Sequence, residues 1–231
     1  MKKTLLIAFT FLLIICEQSF CQQFAPTFRR FSGKKTAFLF LNSGEKISFK
    51  IKKIKRKKGA IVRIKGRATD GSKFKYRAND IKQAALPPTL LTKLDAAQDA
   101  TESVVETTKT NFESLGKDLA LYYQEPYRGQ RKALLQLINP EFCTQIKVYA
   151  DPRAKETSGV KVSGLRLTGG IDKSYYVNYK GTTTRIRKRN YNRYFKEFFG
   201  SCPALLNKYK DSAWRDLPNH IYFYEQNCQN Q

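Results

Sequence analysis

The chain has 231 residues and carries 43 Lys plus Arg against 19 Asp plus Glu, a formal net charge of +24. Hydrophobic residues make up 41% and aromatics 13%, too much Phe and Tyr for a chain disordered throughout. Only one stretch, near the start, is apolar enough to enter a bilayer, which excludes a polytopic membrane protein.

That stretch begins after Lys2 and Lys3, runs uncharged from Leu5 to Cys16, and gives way to the polar Glu17 to Cys21. Positive start, apolar run and short polar end form the pattern of a secretory signal peptide, with cutting expected after Cys21. As a helix the run would reach about 18 Å, short of a hydrocarbon core of about 30 Å, so a leader fits better than an anchor. Lipidation is not expected, because Ile15 and Phe20, rather than small residues, precede Cys16 and Cys21. Export to a periplasmic or extracellular space would leave Cys143, Cys202 and Cys228. In an oxidising compartment the simplest arithmetic is one disulfide and one free thiol.

From Arg29 to Arg77 basic residues dominate, and the only acids are Glu45, Asp70 and, just beyond, Asp80. Apolar residues alternate with them: Ile47, Phe49 and Ile51, then Val62 and Ile64, then Phe74 and Tyr76. Period two gives each strand one apolar and one basic face. With Ala37 to Leu41 this predicts about four short strands, turning at Asn42-Ser43-Gly44 and Asp70-Gly71-Ser72, with Lys55 to Gly59 as a charged connection. A small barrel or curled antiparallel sheet would bury one face of each.

Pro87-Pro88 closes that unit, and between Leu94 and Glu125 the charge balance reverses. Leu91, Leu94, Val105, Phe112 and Leu115 fit a weak helical stripe whose Thr-rich middle lowers helix propensity. The segment reads as a bent helix or a partly ordered linker. Docked on the basic sheet of the same molecule, it would hide part of that charge from any partner.

Next, Leu119 to Tyr123, Ala133 to Ile138, Gln145 to Ala150, Tyr175 to Tyr179 and Thr182 to Ile186 read as strands. Asn190 then caps an amphipathic helix bearing Tyr191, Tyr194, Phe195, Phe198 and Phe199, ending at Gly200. Cys202-Pro203 and Asp216-Leu217-Pro218 read as two further helix starts. Two antiparallel helices joined by a short turn would return Cys228 to Cys202, which predicts that disulfide. Cys143 is expected to be a buried small hydrophobe rather than a nucleophile. Strands followed by helices, without βαβ alternation, predict an α+β fold. Its parts are a leader (1–21), a basic β-rich domain (30–86), an acidic helical connector (87–118), and an α+β domain (119–231) whose second antiparallel sheet precedes C-terminal helices.

Several blocks carry a resemblance: Leu134-Leu135-Gln136-Leu137, Ile146-Lys147-Val148-Tyr149, Ser174-Tyr175-Tyr176-Val177, Tyr194 to Phe199, Gly200 to Leu205, and Tyr224-Glu225-Gln226-Asn227-Cys228. Their order resembles uncharacterised secreted proteins of the Bacteroidota, which pair a basic strand-rich start with a closing CP…YxxNC-like helical segment. The resemblance implies secretion and agrees with the Cys202–Cys228 pair; it brings no activity and no catalytic residue.

Catalytic motifs are not found. There is one His, His220, and the sequence has no HExxH, paired CxxC, GxSxG, P-loop or GxGxxG pattern. No cofactor or metal is expected, and His220 is expected to be structural. The candidate anion-binding residues are Lys46, Lys50, Lys52, Lys53, Arg63 and Lys65 on the first sheet, and Arg185, Arg187 and Arg189 further on. Tyr175, Tyr176, Tyr179, Tyr191 and Tyr194 are interleaved with the second group, though Tyr191 and Tyr194 share the apolar helix stripe and read as core. Cations for a backbone and rings for stacking suit lipopolysaccharide, nucleic acid or an acidic glycan. The expected role is non-enzymatic attachment to such an envelope component; the alternatives are a subunit of an envelope complex and a hydrolase with an unrecognised site.

Overall fold

The computed structural model describes residues 22–90, 119–129, 131–156, 161–162, 165–166 and 171–228. The expected leader and almost all of the acidic connector lie outside the described residues.

The first sheet contains β1 (Thr36–Leu41), β2 (Lys46–Lys57), β3 (Ala60–Ala68), β4 (Lys73–Arg77), β5 (Ile81–Leu86), β6 (Ala120–Pro126) and β7 (Lys132–Gln136). It is antiparallel, ordered β2-β1-β5-β6-β7-β3-β4, and β2 also pairs with β3. That second pairing closes six strands into a barrel and leaves β4 as an extra strand on β3. Alternation works as the sequence predicts: Leu39, Phe49, Ile61, Ile64, Ile81, Ala84 and Leu134 point inward as one core.

Two details differ from the sequence expectation. The strands expected at Leu119 to Tyr123 and Ala133 to Ile138 fall in the expected second unit (119–231), yet as β6 and β7 they complete the barrel. β1 to β5 alone would leave β5 and the first residues of β3, before the stretch that pairs with β4, without a partner, and the β6–β7 hairpin pairs with both. The connection expected at Lys55 to Gly59 is only Lys58-Gly59, since β2 runs on to Lys57. Both turn residues have positive φ, 52° and 88°, the geometry of a tight two-residue hairpin.

The second sheet, ordered β12-β11-β8, contains β8 (Ile146–Ala150), β11 (Ser174–Tyr179) and β12 (Thr182–Arg187). Between β8 and β11 lies a short ribbon, β9 (Lys161–Val162) against β10 (Leu165–Arg166). Helices α1 (Tyr191–Phe199), α2 (Pro203–Lys208) and α3 (Leu217–Asn227) cover the sheet. Val148, Val177, Ile186, Phe195, Phe199 and Ile221 are among the side chains of the shared core. The architecture is thus α+β: barrel, second antiparallel sheet, C-terminal helices. Cys202 and Cys228 form the expected disulfide, with Cα atoms 5.8 Å apart across a separation of 26 residues. Closing a loop of that length stabilises by about 3.5 kcal/mol on the chain-entropy model.

Three features join barrel and sheet. Ala60, Ala133 and Leu135 of the barrel share a small core with Tyr149 and Tyr176 of the sheet. The Thr183 hydroxyl of β12 donates to Glu125 Oε2 of β6. An extended N-terminal strap crosses both parts, its Ala25 N–H donating to the Ile138 carbonyl at 2.6 Å and its Phe28 N–H to Gln136 Oε1 at 2.8 Å. Among the described residues no helix is long and apolar enough to cross a membrane.

Candidate anion-binding face and cleft

Register places the cations of the barrel. Across β2, β3 and β4, Lys55 faces Arg63 and Arg63 faces Arg77; Lys53 faces Lys65 and Lys65 faces Lys75; Lys50 faces Arg67 and Arg67 faces Lys73. Directly paired residues project from the same side of a sheet, so these nine side chains make a three-by-three array on the outer face. Neighbours in the array are about 4.8 Å apart between strands and about 7 Å apart along them. Ile54, Ile64 and Tyr76 lie beneath, on the core side.

A bulge between Ile51 and Lys53 sets this array. Strict alternation would put Lys52 on the row with Lys65, whereas the bulge puts Lys53 there and adds Lys52 as an extra exposed cation. Lys50 donates to the Lys34 carbonyl at 2.5 Å and to Thr36 Oγ1 at 3.1 Å, which fixes its position. Arg63 is half-buried, and its Nε is buried without a hydrogen bond. Lys46 lies off the array, its Nζ 5.3 Å from the Phe38 ring centroid and 5.5 Å from that of Phe40. Both rings are half-exposed on β1, beside the array. Among the described residues no carboxylate forms an ion pair with any of the nine.

The second expected group divides. Arg185 is not an open cation: its Nη2 lies 2.5 Å from Asp151 Oδ2, its Nε donates to the same oxygen, and the guanidinium reaches Ser174 Oγ. Asp151, at the end of β8, is buried and neutralises it. Arg187 and Arg189 stay on the surface, and with Lys155, Lys173 and Lys188 they line a pocket of about 740 Å³. The rings interleaved with this group are mostly core, Tyr175, Tyr176 and Tyr191 being buried.

Between barrel, strap and second sheet lies a cleft of about 410 Å³ that sequence reasoning missed. Arg29, Arg30 and Arg56 face it from one side, and Asp151, Glu156 and Asp172 from the other. Burial, together with the charges of Glu156 and Asp151 and against that of Arg29, pushes the Asp172 carboxyl up to about 6. Burial also pushes the Tyr122 hydroxyl up to about 12, against the pull of Arg56. A carboxyl poised near 6 can exchange a proton close to neutral pH. Glu156 and Asp172 are paired in an isolated bridge between segments sixteen positions apart, a relationship with no local signature.

His220 and Cys143 are not in this cleft. His220 is fully buried among Tyr191, Phe195, Phe199 and Tyr209, its Nδ1 2.7 Å from the Tyr191 hydroxyl. Burial alone pulls it down to about 4. Cys143 is half-buried rather than buried, its Sγ 3.5 Å from the Pro140 carbonyl, and burial raises its thiol pKa. Raising the pKa withholds the thiolate that a nucleophile would need. Among the described residues no group of three or more His, Cys, Asp or Glu is placed to hold a metal ion.

No family model, curated protein or solved structure matches this chain.

Proposed function

We propose that the protein is an exported, non-enzymatic binder of an anionic envelope polymer, held on the outer face of β2, β3 and β4. The single observation that carries this reading is the registered array of nine cations. Like charges directly opposite each other destabilise a sheet, so an array of them costs stability that a bound polyanion would return. Fixed on a rigid barrel, the cations displace counterions from an extended chain of negative charge. Phe38 and Phe40 lie where rings could pack on the sugars or bases of that chain. The leader pattern and the Cys202–Cys228 disulfide support export, since disulfides persist in oxidising compartments.

A salt series tests the proposal, with heparin, lipopolysaccharide and single-stranded DNA as probes. For single-stranded DNA the log–log slope of affinity against salt should approach about −6 if all nine cations engage. Replacing Lys53, Lys65 and Lys75 by Gln should flatten that slope by about 2. An unchanged slope in the variant would remove the sheet face as the binding surface.

The cleft supports one rival reading, a hydrolase using Asp172 as a proton-exchanging group. Turnover of a glycoside or ester library that disappears in Asp172→Asn would favour it over simple attachment.

A further inference from the structure

We propose that the pocket lined by Lys155, Lys173, Arg187, Lys188 and Arg189 is a second, independent anion site, built for a compact ligand carrying clustered phosphate groups. It differs from the barrel face in shape. The face is extended along three strands, whereas here five cations of the second sheet's border line one open concavity of about 740 Å³. That volume lies within the range of small-molecule pockets.

The backbone holds these side chains in place. The Lys173 N–H donates to the Lys155 carbonyl at 2.7 Å, and the Lys188 N–H donates to the Lys173 carbonyl at 3.0 Å. Three segments distant in sequence are thereby locked side by side. Asn190 Oδ1 accepts from the Arg187 N–H at 2.8 Å and fixes the turn that carries Lys188 and Arg189 into α1. The positive end of the α1 dipole begins just beyond Arg189 and adds to the field.

Charge is also sorted across this border. Glu156 and Asp172 line the cleft, while their chain neighbours Lys155 and Lys173 line the pocket. None of the described residues lining the pocket is a carboxylate. Five cations held together repel one another, and an anion with several charges in a small volume relieves that repulsion most effectively. A diphosphate or triphosphate group has that form, whether free or carried on a lipid headgroup.

The test measures acylation of Lys155 and Lys173 by an amine-reactive reagent in the intact protein, mapped by mass spectrometry. Tripolyphosphate and, separately, phosphatidylcholine vesicles doped with diacylglycerol pyrophosphate are the two probes. Protection of both lysines by tripolyphosphate alone supports the site with a soluble ligand; protection by the vesicles also supports it and assigns a lipid-borne phosphate. Protection by neither overturns it. A second arm measures tripolyphosphate affinity in Lys155→Gln/Lys173→Gln and in the barrel variant Lys53→Gln/Lys65→Gln/Lys75→Gln. The pocket variant should lose at least tenfold and the barrel variant less than threefold. Equal losses in the two variants would also overturn the proposal, since binding would then follow net charge alone.

Discussion

Lys53 of β2 stands directly opposite Lys65 of β3, and both are exposed on the outer face of the barrel. Directly opposed like charges are destabilising, whereas a Thr in a strand fits the pleat and removes the repulsion. Lys65→Thr should therefore raise stability by about 0.5 kcal/mol in urea unfolding. The same variant should bind heparin more weakly. A rise in stability with unaltered heparin affinity would mean that the opposed lysines serve no ligand.

His220 and Asp172 pull stability in opposite directions over overlapping pH ranges. The unfolded His220 takes up a proton below 6.5, but the folded one resists until about 4, so its contribution falls as pH drops through that window. Against the wild type, His220→Gln should lose less stability on acidification from above 6.5 to about 4. Urea unfolding at the two ends of the window measures this, and parallel curves for the two proteins would contradict it.

Asp172 works the other way. Its folded carboxyl keeps a proton up to about 6, while the unfolded one releases it near 3.8. The associated stability is complete below 3.8 and is lost as pH rises through 6. Asp172→Asn mimics the protonated form at every pH, so its stability relative to wild type should increase across that interval. Thermal melts in matched buffers would register the difference, and a constant offset would show that Asp172 titrates normally.

Gly59, in the β2–β3 turn of the barrel, lies against Pro152, two residues past the end of β8. Its φ is 88°, and an added Cβ would lie 2.6 Å from the Pro152 side chain and 2.9 Å from the Pro152 carbonyl oxygen. Gly59→Ala combines an unfavourable backbone conformation with a clash against backbone, and should cost about 2 kcal/mol. The neighbouring cleft should widen as Pro152 yields, which would show as faster amide exchange at Ala60 and Ala150. Gly71, at φ 88° with open space around it, provides the control: Gly71→Ala carries the backbone cost without the clash.

The sequence disclosed local geometry better than partnership. Alternation at Ile47 to Ile51 and Phe74 to Tyr76 located strands because one face is wet and the other dry. It did not disclose β5, whose Ala84-Ala85-Leu86 end is buried on both faces and therefore lacks period two. Nor did it show that the 120–126 strand pairs with β5, because pairing between distant segments leaves no mark on either. The Cys202–Cys228 bridge was readable because a helical hairpin is a local object. Arg187 and Arg189 were visible as a basic run, but Lys155 and Lys173 join them only through the second sheet's border. Arg185 looked equivalent to them until β8 delivered Asp151 to its side.

The barrel is sealed unevenly. Most adjacent strand pairs share at least four residue pairs in register, whereas β3 and β7 meet at Ile61 and Leu134 only. A cylinder held by one registered pair along a single junction is expected to open there before its fully laddered junctions do. Leu134, Ala60, Gly59 and Arg56 border both this junction and the cleft. Breathing of the cylinder would thus be felt directly by Asp172 and its arginine neighbours, coupling the width of their chamber to the integrity of the scaffold that displays the lysine array.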